Sequence, residues 1–364
     1  MCYTGIDAHK DNCFLTTVND AGVVVKRARL RNEPALILEY FRDLPGPHKA
    51  VVESTANWYW LSDLLEANGI ELLLAHAKYI KAIAYAKVKT DKVDSHTLAQ
   101  LLRMNFVPQA HKIRPELRGL RDMMRARLRL VQRRTSSMNS IHRIGEKVNA
   151  AIDPKEGVLP DHLPELYKTQ VRWHYEQVQL LNRQVKELER TIRPELIPNE
   201  DIQRLLWVPA LGLITAFLVY LEIDQIDGFP TEKHFFSYCR LIPGAKNSNR
   251  TIRQRSGNKE GNKYLKIAFT DAAVRAKYYY PEIRAFYQKI LRRSNKAIAH
   301  TVVAKELARI VYHMLKNKEV FRSFKGKPLS RQKSCAWPRQ AEFAPAIAST
   351  RVYHLRRQPV EEGA

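Results

Sequence analysis

Four acidic side chains in the first hundred residues have the types and spacing that metal-dependent chemistry requires. Asp7 and Glu53 each end a short apolar segment, and Asp91 and Asp94 lie three residues apart. Residues three apart share one face of a helix. Mg²⁺ prefers oxygen ligands, and such ions can activate an attacking oxygen and stabilise a leaving one. Each acid alone is explained by a turn or a helix cap; the four together predict a divalent metal site for phosphodiester chemistry.

The charge of the whole chain indicates the partner. Among its 364 residues, 61 Lys and Arg face 37 Asp and Glu, for a formal net charge of +24. Cations that neutralise phosphates release condensed counterions, so this excess favours a polyanion, whereas solubility alone needs a smaller charge. A nucleic-acid enzyme is the first hypothesis, ahead of a non-catalytic nucleic-acid-binding protein. The length fits two or three domains.

Cysteine spacing and apolar segments bear on the compartment. The four cysteines (Cys2, Cys13, Cys239 and Cys335) lack zinc-ligand or redox spacing, so we expect free thiols in a reducing compartment. No signal peptide opens the chain, and the longest apolar stretch is shorter than the ~20 residues of a membrane span. We expect a cytoplasmic protein without a membrane partner.

The elements that must position the four acids alternate in type. Three short strands are predicted within residues 2–30, then helix, strand, helix and strand to residue 74, and a helix over 91–104. The order β-β-β-α-β-α-β-α is typical of an RNase H-like domain. If the first and fourth strands lie side by side, Asp7 and Glu53 project from the same edge of the sheet.

Helical periodicity dominates the rest of the chain. Residues 115–188 are predicted to form a long helical hairpin, interpreted as a coiled coil, with a break over 153–164. Arginines fill the first helix between its apolar positions. A solvated face is the ordinary explanation for one arginine, but for the series we favour phosphate contact, with Arg118, Arg121 and Arg125 as candidates. The turn within 206–216 is similar to that of a helix-hairpin-helix unit, or is an ordinary helix junction.

Several of these segments resemble one known family. Gly5-Ile6-Asp7, Val52-Glu53-Ser54-Thr55 and Lys89-Thr90-Asp91-Lys92-Val93-Asp94 resemble the DEDD-type, RuvC-like domain of IS110-family transposases. This group includes the IS1111 branch and the related pilin-gene invertase. The segments Leu241-Ile242-Pro243, Ser248 and 259–266, followed by Ala272-Ala273, are similar to the family's C-terminal transposase domain. The resemblance covers roughly residues 1–320.

The resemblance implies an α/β plus α architecture in four parts. These are an N-terminal RNase H-like (RuvC-like) DEDD domain over 1–110, a helical coiled-coil region over 111–195, a mainly helical C-terminal transposase domain over 196–325, and a basic tail over 326–364 that is disordered or folds on a partner.

In this family a serine of the C-terminal domain attaches to DNA. Ser248 has the family spacing after Pro243, whereas Ser256 copies the Ser-Gly dipeptide at another spacing; we choose Ser248 and keep Ser256 open.

The resemblance also implies cofactors and partners. Asp7, Glu53, Asp91 and Asp94 would bind Mg²⁺ or Mn²⁺, and Ser248 would attack the phosphate, so the two domains must meet within one chain or across subunits. Donor and target DNA, a non-coding bridge RNA and a homo-oligomer (dimer or tetramer) complete the expected assembly. Cations near the serine would hold the scissile phosphate: Lys246, Arg250, Arg253, Arg255, Lys259 and Lys263.

Three alternatives stay open. A RuvC-like junction nuclease would use the same acids with water as the nucleophile. A DNA invertase would recombine without RNA. A domesticated, non-catalytic binding protein would need no intact set of acids.

Overall fold

The computed structural model describes residues 1–55, 57–83, 90–248, 251–255, 260–321, 323–324, 327–328 and 352–353. These residues belong to two compact units, Met1–Pro115 and Glu116–Ala364. No described helix is long and apolar enough to cross a membrane. Cys2, Cys13 and Cys239 are free, as predicted, and all three are buried; Cys335 lies outside the described residues.

The first unit is a mixed five-stranded sheet with helices. Its elements are β1 (Cys2–Ala8), β2 (Asn12–Val18), β3 (Val24–Arg31), α1 (Pro34–Arg42), β4 (His48–Glu53), α2 (Trp58–Ala67), β5 (Glu71–Ala75), α3 (Ala77–Ile83) and α4 (Asp91–Arg103). The strand order is β3-β2-β1-β4-β5. The first three strands pair antiparallel, and β1, β4 and β5 run parallel. The predicted alternation of strands and helices is confirmed, and α3 is an addition to it.

Both faces of this sheet are covered. Ile6 and Val52 pack in one apolar cluster with residues of α1 and α2, such as Phe41 and Leu61. On the other face, Val51 packs with three residues of α4, which are Leu98, Leu101 and Leu102. Strand residues alternate between the two faces, so each strand of the sheet centre contributes to both clusters. The central strands are therefore held rigidly on both sides.

Gly5 is the point at which α4 comes closest to β1. A Cβ at Gly5 would lie 2.0 Å from the backbone oxygen of Ser95 and 2.5 Å from the backbone nitrogen of Ala99. The helix backbone therefore rests directly on the strand, which only a residue without a side chain permits. Beside this contact the buried hydroxyls of Thr16 and Ser95 lie 2.8 Å apart, within hydrogen-bond distance.

The second unit is mainly helical. Its elements are α5 (Pro115–Lys147), α6 (Glu165–Ile192), α7 (Glu200–Leu206), α8 (Leu213–Ile223), α9 (Glu232–Tyr238), β6 (Gly244–Ser248), β7 (Thr251–Arg255), α10 (Lys263–Tyr279), α11 (Pro281–Leu291), α12 (Lys296–Asn317), β8 (Val320–Phe321), β9 (Ser323–Phe324), β10 (Lys327–Pro328) and β11 (Val352–Tyr353). Strands β6 and β7 form an antiparallel hairpin, β9 pairs with β10, and β8 with β11. The core packs helices α8, α9, α10 and α12 together.

Helices α5 and α6 form the predicted helical hairpin. Arg134 donates a hydrogen bond to Asn182 at 2.9 Å, and Ser137 donates one to Gln177 at 3.1 Å, so the two helices run antiparallel. Buried residues recur every seventh position along α6, the spacing of a coiled-coil seam. They are Val171, Val178, Val185 and Ile192.

The turn between α7 and α8 has a strained residue. Ala210 has a φ of 63°, in the left-handed region that favours glycine. This is the position at which helix-hairpin-helix turns usually carry Gly. Phosphate contact by this turn stays a prediction.

We expect Gly5→Ala to destabilise the first unit by about 1–3 kcal/mol or more, because the added methyl group meets backbone atoms that cannot rotate away. Denaturant unfolding measures the loss. Gly119→Ala is the matched control, since none of the described residues comes within 4 Å of a Cβ at that helical position. The control should gain about 1 kcal/mol from helix propensity. Equal stability of Gly5→Ala and the wild type would contradict the close packing of α4 on β1.

Candidate functional site

The ends of two adjacent parallel strands carry Asp7 and Glu53. The last register pair between β1 and β4 is Ile6 with Val52, so the two acids follow it directly. Because side chains alternate along a strand, both acids belong to the face opposite Ile6 and Val52. That is the face of Gly5 and α4. The predicted common edge is therefore present.

Helix α4 brings the other two acids to this edge. Asp91 and Asp94 lie in its first turn, which Thr90 caps by accepting a hydrogen bond from the Val93 amide. The partial positive charge at a helix N-terminus stabilises carboxylates there. The approach of α4 to Gly5 thus places the start of the helix beside the end of β1.

A histidine lies between the carboxylate at the end of β1 and one at the start of α4. His9 Nε2 lies 3.2 Å from Asp7 Oδ2 and 3.3 Å from Asp91 Oδ1. One ligand atom from each of these three residues lies within 4.8 Å of the other two. Asp7 is largely shielded, with 18% of its side chain exposed, whereas Asp91 is 37% exposed and reachable from solvent. Such a group can hold a divalent cation between a partly shielded and an open carboxylate.

The electrostatics of Asp7 support this interpretation. Burial raises the pKa of Asp7 above its ordinary value, and the charge of His9 opposes that change. The negative charges of Asp91 and Asp94 raise the pKa of Asp7 further. A cation bound here would relieve both the burial cost and the repulsion. The charge of Asp94 therefore acts on Asp7. Glu53 lies on the same face of the sheet as Asp7, as the register of β1 and β4 shows.

His9 was absent from the residues predicted to form the site. The sequence feature that could have identified His9 is its position two residues after Asp7, because an extended chain places such residues on the same face. Nothing in the sequence indicated that Asp91, far along the chain, would reach the same imidazole. The histidine therefore became identifiable as a site residue only in three dimensions.

The three arginines predicted to contact phosphate lie on α5 in contact with the protein itself. Arg118 and Arg121 are buried. Arg121 and Arg125 form ion pairs with Glu222 of α8, at 2.9 Å for Arg121 and with a 2.7 Å hydrogen bond from Arg125. These contacts assign Arg121 and Arg125 a role within the second unit. Phosphate contact by Arg118, Arg121 and Arg125 stays a prediction.

The predicted nucleophile lies on the β6–β7 hairpin. Ser248 ends β6 and pairs with Thr251 of β7, and Lys246 pairs with Arg253. Lys263 is the first residue of α10 and is exposed, with its ammonium 5.1 Å from the ring centre of Tyr264. Of the other predicted residues, Arg255 pairs with Gly244 in the hairpin. Arg250, Ser256 and Lys259 lie outside the described residues.

The fold and the site together indicate a class of protein, and comparison with known families identifies the family within that class. An α/β unit with clustered acids, followed by a mainly helical basic unit, fits nucleic-acid processing. A family model described as a transposase, of the DEDD type from IS110, matches residues 4–146. The model of the transposase IS116/IS110/IS902 family matches residues 202–288. The chain belongs to the IS110 family of transposases, enzymes that cut and rejoin DNA.

Curated relatives agree with this assignment along most of the chain. The "Probable family 20 transposase" of Pseudomonas aeruginosa is 26% identical over 340 residues, covering 87% of this chain and 98% of the relative. The transposase for insertion sequence element IS1328 of Yersinia enterocolitica is 22% identical, covering 87% and 97%. The transposase for IS1111A of Coxiella burnetii is 21% identical, covering 87% and 90%.

We expect Asp7→Asn to stabilise the first unit in a chelator at neutral pH, by an amount toward the low end of the ~0.5–2 kcal/mol typical of stabilising substitutions. The raised pKa means that Asp7 favours folding only while protonated, so its contribution is lost as pH rises through the folded pKa. The difference between variant and wild type should therefore shrink as pH falls toward 3.8, the ordinary value for Asp.

Thermal unfolding across this pH range measures the effect, and Asp20→Asn is the control. The amino terminus lowers the pKa of Asp20 by hydrogen bonding, so the control should lose stability. A loss of stability in Asp7→Asn at neutral pH would argue against a strained carboxylate cluster.

Proposed function

We propose that this transposase is a site-specific DNA recombinase of an insertion sequence that uses metal-binding carboxylates and a serine nucleophile. The observation that carries the proposal is the convergence of Asp7 and Asp91 on His9 at the edge of the sheet. Three antiparallel strands followed by alternating helices and strands support an RNase H-like, RuvC-like first domain. In this interpretation residues 1–110 supply the carboxylates and residues 196–325 supply the serine.

The carboxylates would hold Mg²⁺ or Mn²⁺. Their oxygen donors suit these hard cations, and the raised pKa of Asp7 indicates repulsion that a cation would remove. When bound, the cation would stabilise the negative charge that develops on a phosphodiester. Asp7 and Glu53 would form the rigid part of this site, and Asp91 and Asp94 would complete it from the helix.

The sequence of the β6–β7 hairpin supports Ser248 as the nucleophile. Ser248 ends β6, and Lys246, Arg253 and Arg255 belong to the same two-stranded hairpin. Cations in the same hairpin suit a phosphate beside the serine. The Ser248 oxygen would form a bond to phosphorus while the bond to the 3′ oxygen breaks. The serine proton leaves, the 3′ oxygen gains one, and phosphoester energy is conserved for rejoining.

A structured bridge RNA and an oligomer complete the proposal. The RNA would select target and donor DNA by base pairing, and a dimer or tetramer would hold two duplexes. The net charge of +24 and the family membership support partners of this kind.

We expect Ser248→Ala to abolish the covalent protein–DNA adduct and strand cleavage on a plasmid that carries the element with its flanking DNA. Denaturing gels detect the adduct. Ser256→Ala is the matched control and should retain it. Continued hydrolytic cleavage by Ser248→Ala would instead indicate a junction nuclease in which water attacks, and an adduct lost only in Ser256→Ala would move the nucleophile there.

We expect Mg²⁺ to raise the unfolding free energy of the wild type, by about 2.7 kcal/mol at a concentration a hundred times its dissociation constant. Asp7→Asn and Asp91→Asn should lose most of this effect, whereas Asp20→Asn should keep it. Thermal unfolding with and without Mg²⁺ makes the measurement without any need for activity. An unchanged Mg²⁺ effect in both site variants would rule out a metal at these carboxylates.

We expect recombination by the purified protein to cease after RNase treatment and to return with RNA transcribed from the element's non-coding flank. Product formation by sequencing of the joined ends is the measurement. Recombination that continues without RNA would favour an RNA-independent invertase.

A further inference from the structure

A buried charged cluster in the second unit is not used by the mechanism above. Glu222 of α8 is fully buried and is the one charged residue of that helix. Its carboxylate receives hydrogen bonds from Arg121 at 3.0 Å, from Arg125 at 2.7 Å and from the Asn262 side-chain amide at 2.6 Å. Burial alone would raise the pKa of Glu222, but the hydrogen bond from Arg125 and the charges of both arginines hold it below its ordinary value. The side chain of Glu222 is therefore ionised at neutral pH.

Asn262 connects this cluster to two helices. Its side-chain oxygen accepts hydrogen bonds from the backbone amides of Tyr264 and Leu265, which caps the start of α10. Its own backbone amide donates to the carbonyl of Tyr238, at the end of α9, at 2.6 Å. Asn262 therefore fixes the end of one helix to the beginning of another.

These two points are the base of the β6–β7 hairpin. The chain leaves α9 at Tyr238, forms the hairpin, and returns at Gly261 and Asn262. A second hydrogen bond closes the base, since Arg240 Nε donates to the Gly261 carbonyl at 2.7 Å. Gly261 has a φ of +93°, and a Cβ there would lie 2.4 Å from the Tyr238 carbonyl, so the two chain segments are in direct contact.

We propose that Glu222 and Asn262 are positioning residues that hold the base of the β6–β7 hairpin, and with it Ser248, in place for attack on DNA. The role rests on the proposed function of Ser248. The energetics favour positioning over stability, because buried ion pairs are often no more stable than apolar side chains of similar volume. Glu222 acts through Asn262, and Arg121 and Arg125 keep its carboxylate charged and oriented.

Asn262→Ser tests the proposal. Serine still caps a helix but is too short to reach Glu222. Asn295→Ser is the matched control, because Asn295 caps α12 in the same way and its described contacts do not include Glu222. Hydrogen exchange of the amides at 238–241 and 261–262 should become about tenfold faster or more in Asn262→Ser and stay unchanged in the control.

The same variants separate positioning from folding. At saturating plasmid, adduct formation by Asn262→Ser should fall about 10- to 100-fold, the scale of a small misplacement of a reacting group, with KM changed far less than kcat. Arg240→Met is the second variant; it opens the base from its exposed side without leaving a buried charge, so it folds even if Asn262→Ser does not. It should show the same faster exchange and slower adduct formation.

Unchanged exchange at the hairpin base, or an adduct rate equal to that of Asn295→Ser, would overturn the positioning role while leaving Ser248 as the nucleophile. A wild-type protein that forms no serine adduct would instead refute the proposed function. In that case the exchange measurement still decides whether Glu222 and Asn262 hold the hairpin base.

Discussion

The direct packing of α4 on β1 at Gly5 is the constraint on which the first unit depends. With backbone atoms as close as 2.0 Å to the position of a Cβ, there is no room for any side chain. The distance between the α4 backbone and β1 is therefore fixed, and the first turn of α4 begins beside the end of β1. Apolar burial on both sheet faces supplies the energy that holds the carboxylates together against their repulsion.

Much of this arrangement was predictable from the sequence because it depends on local patterns. Short apolar runs that end in an acid predicted β1 and β4, and the spacing of Asp91 and Asp94 predicted a shared helical turn. The sequence left open whether β1 and β4 are neighbours, and their parallel pairing in the structure brings Asp7 and Glu53 to one edge. The predicted carboxylates needed no long-range information beyond this topology.

The rest of the site depends on contacts between residues far apart in the chain. His9 joins the carboxylates only because α4 returns to the end of β1. Arg121 and Arg125 belong to a helical pattern that equally fits a solvated face, yet Glu222, 101 and 97 residues further on, pairs with both. The one sequence signal for this pairing was a lone carboxylate in an apolar helix, since a charge in such a helix must be paired when it is buried.

Two shielded carboxylates in this chain respond to burial in opposite ways, and the difference separates their roles. Burial acts to raise the pKa of both Asp7 and Glu222. Two arginines and an amide overcome that effect at Glu222, so its charge is already satisfied within the protein. At Asp7 the charges of Asp91 and Asp94 raise the pKa further, and His9 lowers it only in part. A carboxylate that the fold leaves short of positive charge, at an edge open to solvent, is suited to a cation from outside the chain. A carboxylate already satisfied is suited to holding structure. The same physical comparison supports the roles proposed for these two residues, Asp7 as a metal ligand and Glu222 as a positioning residue.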